Sequence, residues 1–156
     1  MHKTKISKLL DFYNRAKNDS QINLNKKEFT VVGFKEATTE QGPLNKLVLK
    51  DSKNKEYLME FQFYGEGKVI LWQEIPNIFN IKKNINYKKK VFTLIDKGKS
   101  IIKNTGGKGR RYKDDIINWW DYISEDKKSM LSLGLRQKED KWENLYGYRI
   151  DEELVN

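Results

Sequence analysis

The chain has 156 residues, with no cysteine, one histidine, two prolines and no long apolar run. The lack of cysteine excludes a disulfide scaffold, thiolate zinc sites and cysteine nucleophiles. The single histidine, His2, stands beside the first residue, which leaves histidine-based catalysis and His-rich metal sites nothing to work with. No stretch approaches the roughly 20 apolar residues of a membrane span. The segment Met1–Arg15 also lacks the uninterrupted apolar core of a signal peptide. The expectation is a cytoplasmic protein that does not engage a membrane. Arginine is sparse among the 31 Lys and Arg residues, although it is the residue suited to bidentate phosphate recognition.

The chain does carry positive charge and aromatic rings. The formal net charge is +9, and such an excess points to nucleic acid, another anion or an acidic protein as partner. It is also what a lysine- and asparagine-rich composition puts on a solvated surface. Hydrophobic residues make up 37% of the chain, yet aromatics reach 12% with four Trp. Because each ring buries a large area, a few can sustain the core of one domain, so whole-chain disorder is excluded.

Residues 4–17, within an N-terminal segment 1–20, read as an amphipathic helix. Ile6, Leu9, Leu10, Tyr13 and Ala16 fall on one face and are expected to dock on the domain. From Lys27 the period changes to two, and 24–150 reads as a single β-rich domain. Strands are expected over 29–34, 45–50, 57–64, 68–75, 91–95 continuing through 98–102, 118–123, 129–136 and 142–150, with turns at 51–55, 65–67, 124–128 and 139–140. In 57–64, Tyr57, Met59, Phe61 and Phe63 alternate with Leu58, Glu60, Gln62 and Tyr64, the pattern of a strand with one buried face. Glu60 and Glu74 are placed on solvated faces. The Lys/Asn-rich stretch 77–90 reads as a helical turn or an edge segment, with the Lys82-Lys83 and Lys88-Lys89-Lys90 runs protecting an edge. Gly106-Gly107-Lys108-Gly109-Arg110-Arg111 reads as the most flexible segment.

Two blocks echo each other. VLKDSKNKEYLMEFQFYGEGKVILWQEI and WDYISEDKKSMLSLGLRQKEDKWENLYGYRI both run strand, turn, alternating strand, charged turn, aromatic-bearing strand. Each follows a Lys-x-Phe-Thr strand, at Lys27 and at Lys90. The expectation is a mainly β fold with one N-terminal helix. It would consist of two similar antiparallel β-meanders, 27–75 and 90–150, packed as a roll, sandwich or partly open barrel. Convergent hairpin patterning is the rival explanation of the echo.

These same residues carry a family resemblance. KEFTVVGF, LVLKDSKNKEYLMEF, the Trp of VILWQEI, YKKKVFTLIDKGKSII and the long aromatic block ending in YGYRI resemble the bacterial domain of unknown function DUF4178, over residues 24–150. The resemblance implies a small β domain serving as an accessory or interaction module. It carries over no activity and no functional residues.

No constellation carries catalysis. Gly106–Gly109 lacks the spacing of a phosphate-binding P-loop. Asp114, Asp115 and Asp121 are the carboxylates available for Mg²⁺, but Asp115 reads better as a cap before the strand at Ile116, so neither a metal site nor a cofactor is expected. The candidate anion- or nucleic-acid-binding residues are Lys108, Arg110, Arg111 and Lys113 as phosphate donors, with Trp120 as a stacking ring. Trp119, Trp120 and Trp142 otherwise read as core or sheet-surface residues. The leading expectation is a non-enzymatic module with a protein partner, compatible with an inhibitor carried by a phage or mobile element. The alternative is a basic protein that binds nucleic acid or another anion without sequence preference.

Overall fold

The computed structural model describes residues 4–155; His2 lies outside them. Helix α1 (Lys5–Asp19) leads into β1 (Gln21–Leu24), β2 (Lys27–Thr38), β3 (Pro43–Lys50), β4 (Glu56–Gln62) and β5 (Lys68–Ile75). After a connection come β6 (Asn84–Tyr87), β7 (Lys90–Gly107), a 3₁₀ turn (Lys108–Tyr112), β8 (Ile116–Ser124), β9 (Met130–Arg136), β10 (Lys141–Arg149) and a short helix α2 (Asp151–Val155). The strand order is β1-β2-β3-β4-β5-β10-β9-β8-β7-β6, neighbouring strands pair antiparallel, and an additional β2–β7 pairing closes an eight-stranded barrel. Closure removes the open edges that a sheet of this size would otherwise present.

The strand order reads the same from either end. β2 is long enough to pair first with the short β1 and then, over Gly33–Thr38, with β7. β7 does the same, pairing first with β6 and then with β2. β4 and β9 are each third in their own run from the long strand. The two short hairpins even share their turn: Asn25-Lys26 and Lys88-Lys89 all have positive φ, the backbone of a two-residue turn whose twist matches the flanking strands. The expected edge segment in 77–90 is therefore β6, and the lysines at 88 and 89 form its turn.

Helix α1 starts where the Thr4 hydroxyl accepts the Ser7 amide at 3.1 Å, and it ends at Ser20 in the left-handed conformation. Its buried stripe is Leu9, Tyr13 and Ala16. Leu10, expected on that face, is exposed, because one residue of helix turns it about 100° away. The stripe packs outside the barrel on Leu47, Leu49, Met59, Phe61, Val69 and Leu71. Tyr13 meets Phe61 edge-on at 5.2 Å and donates its hydroxyl to Glu36 at 2.7 Å.

β4 corrects the expectation of one buried face, because both of its faces are buried. Tyr57, Met59 and Phe61 lie under α1, while Leu58 and Glu60 point into the barrel. Glu60, read as solvated, is buried for the same reason: with α1 covering the outside, the alternate residues become the inside. Glu74 is exposed as expected. One end of the barrel interior is apolar, filled by Val48, Leu58, Ile70, Trp72, Met130 and Leu145.

Candidate functional site

Above that apolar plug the barrel interior is charged. Lys35 of β2, Lys46 of β3, Glu60 of β4, Asp121 of β8, Ser132 of β9 and Glu143 of β10 all line one cavity. Period-two alternation explains this placement: each is two residues along its strand from another inward residue, such as Ala37, Leu44, Leu58 or Leu145. Most of these charges are held. Glu60 accepts from the Trp72 indole at 3.3 Å and from Gln62 at 2.8 Å, and it lies 3.5 Å from Lys46. Glu143 accepts the Tyr112 hydroxyl at 2.5 Å. Burial pushes the Glu143 carboxyl up, but Lys35, Lys46 and that hydroxyl outweigh it and hold it below its ordinary value. Asp121 goes the other way. Burial, then the nearby Glu60 charge, raise it to about 7.

Lys35 is only 3% exposed, and its ammonium has no hydrogen-bond acceptor among the described residues. It sits 3.4 Å over the Tyr112 ring centre, a cation–π contact. Burial, followed by the charges of Lys46, Arg136 and Arg111, drives it well below the usual lysine range, with Glu143 opposing. The indole N–H of Trp119, buried in the same cavity, also has no acceptor among the described residues.

The 3₁₀ turn abuts this charged end. Gly106–Arg111, read as flexible, is ordered: Gly106 and Gly107 end β7 against Phe34 and Gly33, and the turn packs on β2. A Cβ on Gly109 would lie 1.9 Å from the Phe34 carbonyl oxygen. These glycines therefore serve close backbone approach, not mobility. Asp115 does what its position suggests, accepting the Ile116 amide at 2.9 Å. It also takes the buried Arg136 Nε at 2.8 Å, while Arg136 Nη2 reaches the Arg111 carbonyl at 2.6 Å.

The five candidate residues divide between two places. Lys108, Arg110, Arg111 and Lys113 lie on or just after the 3₁₀ turn, and all four are exposed. Arg111 pairs with Glu56 and donates to the Tyr112 hydroxyl at 3.2 Å, so it is committed to the fold. Trp120 lies on the outer wall of β8, opposite Lys97 of β7 and Leu133 of β9. Its ring is 5.7 Å from that of Trp142, which is 42% exposed. In-register neighbours extend this wall through Lys99, Asn118 and Leu135. Trp119 instead points inward. Sequence reasoning missed Lys35, Arg136 and Glu143; the parity of Gly33, Lys35 and Ala37 along one strand was the available signal. Among the described residues no cluster of three or more His, Cys, Asp or Glu side chains is arranged to hold a metal ion, and no helix is long and apolar enough to cross a membrane.

A family model described as a domain of unknown function, DUF4178, matches residues 18–152. No curated protein matches the chain, and no solved structure does.

Proposed function

The chain belongs to the DUF4178 family, and from that premise we propose that it is a non-enzymatic binding module whose second five-strand unit docks an acidic amphipathic helix of a protein partner. The observation that carries this reading is the outer wall of β7–β10. There the tilted ring pair of Trp120 and Trp142 stands beside Lys97 and Lys99, which are exposed and make no ion pair among the described residues. The corresponding wall of the first unit is covered by α1. Exposed aromatics rimmed by charge are the usual makings of a protein contact, and the basic rim selects an acidic partner. The shared strand order and the shared hairpin turn support a further reading, that the two units arose by duplication.

A photo-crosslinking residue placed at Trp142, with a second at the exposed Asn14 of α1 as control, tests the docking. The expected result is a crosslink from position 142 to a single partner segment with acidic residues beside an apolar stripe. Equal labelling from both positions would sink the reading.

The same wall favours a second reading, because a ring pair flanked by lysines also stacks bases. In that case a single-stranded oligonucleotide binds with a salt slope of roughly −3 if about four phosphates are neutralised, and the Lys108, Arg110 and Lys113 cations supply part of it. Fluorescence anisotropy at several salt concentrations, with Trp142→Ala and Arg110→Glu alongside the native chain, separates the two readings. Tight oligonucleotide binding lost in both variants would transfer the function to nucleic acid.

A further inference from the structure

Lys35 and Lys46 stand directly opposite each other on β2 and β3, and both are buried inside the barrel. Like charges directly across a ladder repel, and the low dielectric of an interior strengthens that repulsion. Lys46 is compensated by Glu60. Lys35 has the Tyr112 ring but no acceptor among the described residues, and three cations (Lys46, Arg136 and Arg111) act on it against one carboxylate, Glu143. On the same cavity, the Trp119 N–H is a second buried donor with no acceptor. Among the fully buried side-chain atoms of the cavity, the two left unmet are thus both donors, and buried donors left unmet are costly.

We propose that the barrel interior binds one small anion, a halide or a carboxylate of a few heavy atoms, which accepts hydrogen bonds from both Lys35 Nζ and Trp119 Nε1. The cavity of about 30 Å³ limits the part held inside to that size. Trp119 also lines an outer cleft of about 180 Å³ together with Thr39, Glu40, Gln41, Lys97 and Lys99, whose two cations outnumber the one carboxylate. The indole is therefore the wall between cleft and cavity. Gly98, opposite it in register, lets the ring lie across the strand, since a Cβ there would come within 2.7 Å of the indole. The anion enters from this cleft, drawn by Lys97 and Lys99, as the indole swings aside. The internal donors face away from the docking wall, while the cleft that leads to them shares Lys97 and Lys99 with it.

The test is a titration of the full chain with sodium chloride, formate, acetate and propionate at constant ionic strength, the balance made up with a bulky anion. Binding is followed by tryptophan fluorescence and calorimetry. The expected result is saturable binding of one anion per chain, weakened about tenfold or more in Lys35→Met, the loss of a charged hydrogen bond. The same anion should raise the melting temperature of the native chain and leave that of Lys35→Met unchanged. Trp119→Phe, which keeps the ring and removes the N–H, gives a second reading should Lys35→Met fail to fold, and it should also weaken binding. Absence of saturable binding by any of the four anions means the two donors meet an ordered water only, and overturns the proposal. So does undiminished binding in the foldable variants.

Discussion

The two five-strand units share one strand order and differ in what lies over them. In the first, α1 precedes β1 and buries Leu9, Tyr13 and Ala16 on the outer wall. In the second, the connection before β6 has no helix. Phe79 packs beside Ile85, Tyr87 and Phe92, but Ile78 is 91% exposed and Trp142 is left open. The inner faces differ too. The first unit supplies Lys35, Lys46 and Glu60, whereas the second supplies Asp121, Glu143 and Arg136. The same frame thus has one wall covered by α1 and one left partly open, around an interior whose ion pairs Lys46–Glu60 and Arg136–Asp115 each form within one unit. A meander buries apolar residues on any face that is covered, so coverage rather than strand pattern decides which faces stay exposed.

The largest expected effect lies in the interior. Asp121 is raised from 3.8 to about 7, so its folded value exceeds the unfolded one. Its contribution is full below about pH 4 and is lost as pH rises through about 7, by on the order of 4 kcal/mol for a shift of about three units. Asp121→Asn should match the native chain near pH 4 and exceed it in stability at pH 8, measured by urea unfolding across pH. Equal pH profiles would remove the charge asymmetry from the comparison. Next, Leu9→Ala should cost about 3 kcal/mol, as for a buried leucine, while Ile78→Ala at the corresponding place before β6 should cost less than about 0.5 kcal/mol. Similar losses would mean that the second wall is as finished as the first. The smallest effect concerns the paired turns: Lys89 adopts φ 61°, where glycine is free of strain, so Lys89→Gly should stabilise the protein by about 0.5–1 kcal/mol. A calorimetric melting temperature would register it.

Much of this frame was legible in the chain. The strand expected over 68–75, ahead of Pro76, matches β5 at its observed bounds, and the break after Ile95 marks the irregularity between Leu94 and Asp96 within β7. The family resemblance is confirmed over a slightly longer span. What was not legible depends on closure. Period two says that Glu60 and Phe61 face apart, but not that both directions are covered, so Glu60 was assigned to solvent. The Gly106–Gly109 run looks mobile by composition, and only the approach of Phe34 shows why it lacks side chains. Lys35 and Glu143 come from the first and last barrel strands, and nothing local in the sequence brings them to one cavity. β1, β6 and α2 are short, with few residues to show a period.

The barrel is sealed along β2–β7 and β5–β10, and both seams join strands from different units. Neither unit can therefore finish its sheet until the other is present, which ties folding to contacts between distant parts of the chain and makes it slow and all-or-none. A chain cut in the connection between β5 and β6 yields halves with intact hairpins but two raw edges each. Such a half has its complement in another half. At sufficient concentration the first fragment alone should assemble head to head with a second copy, using the seam that nature closes with β7 and β10, or else aggregate along those edges.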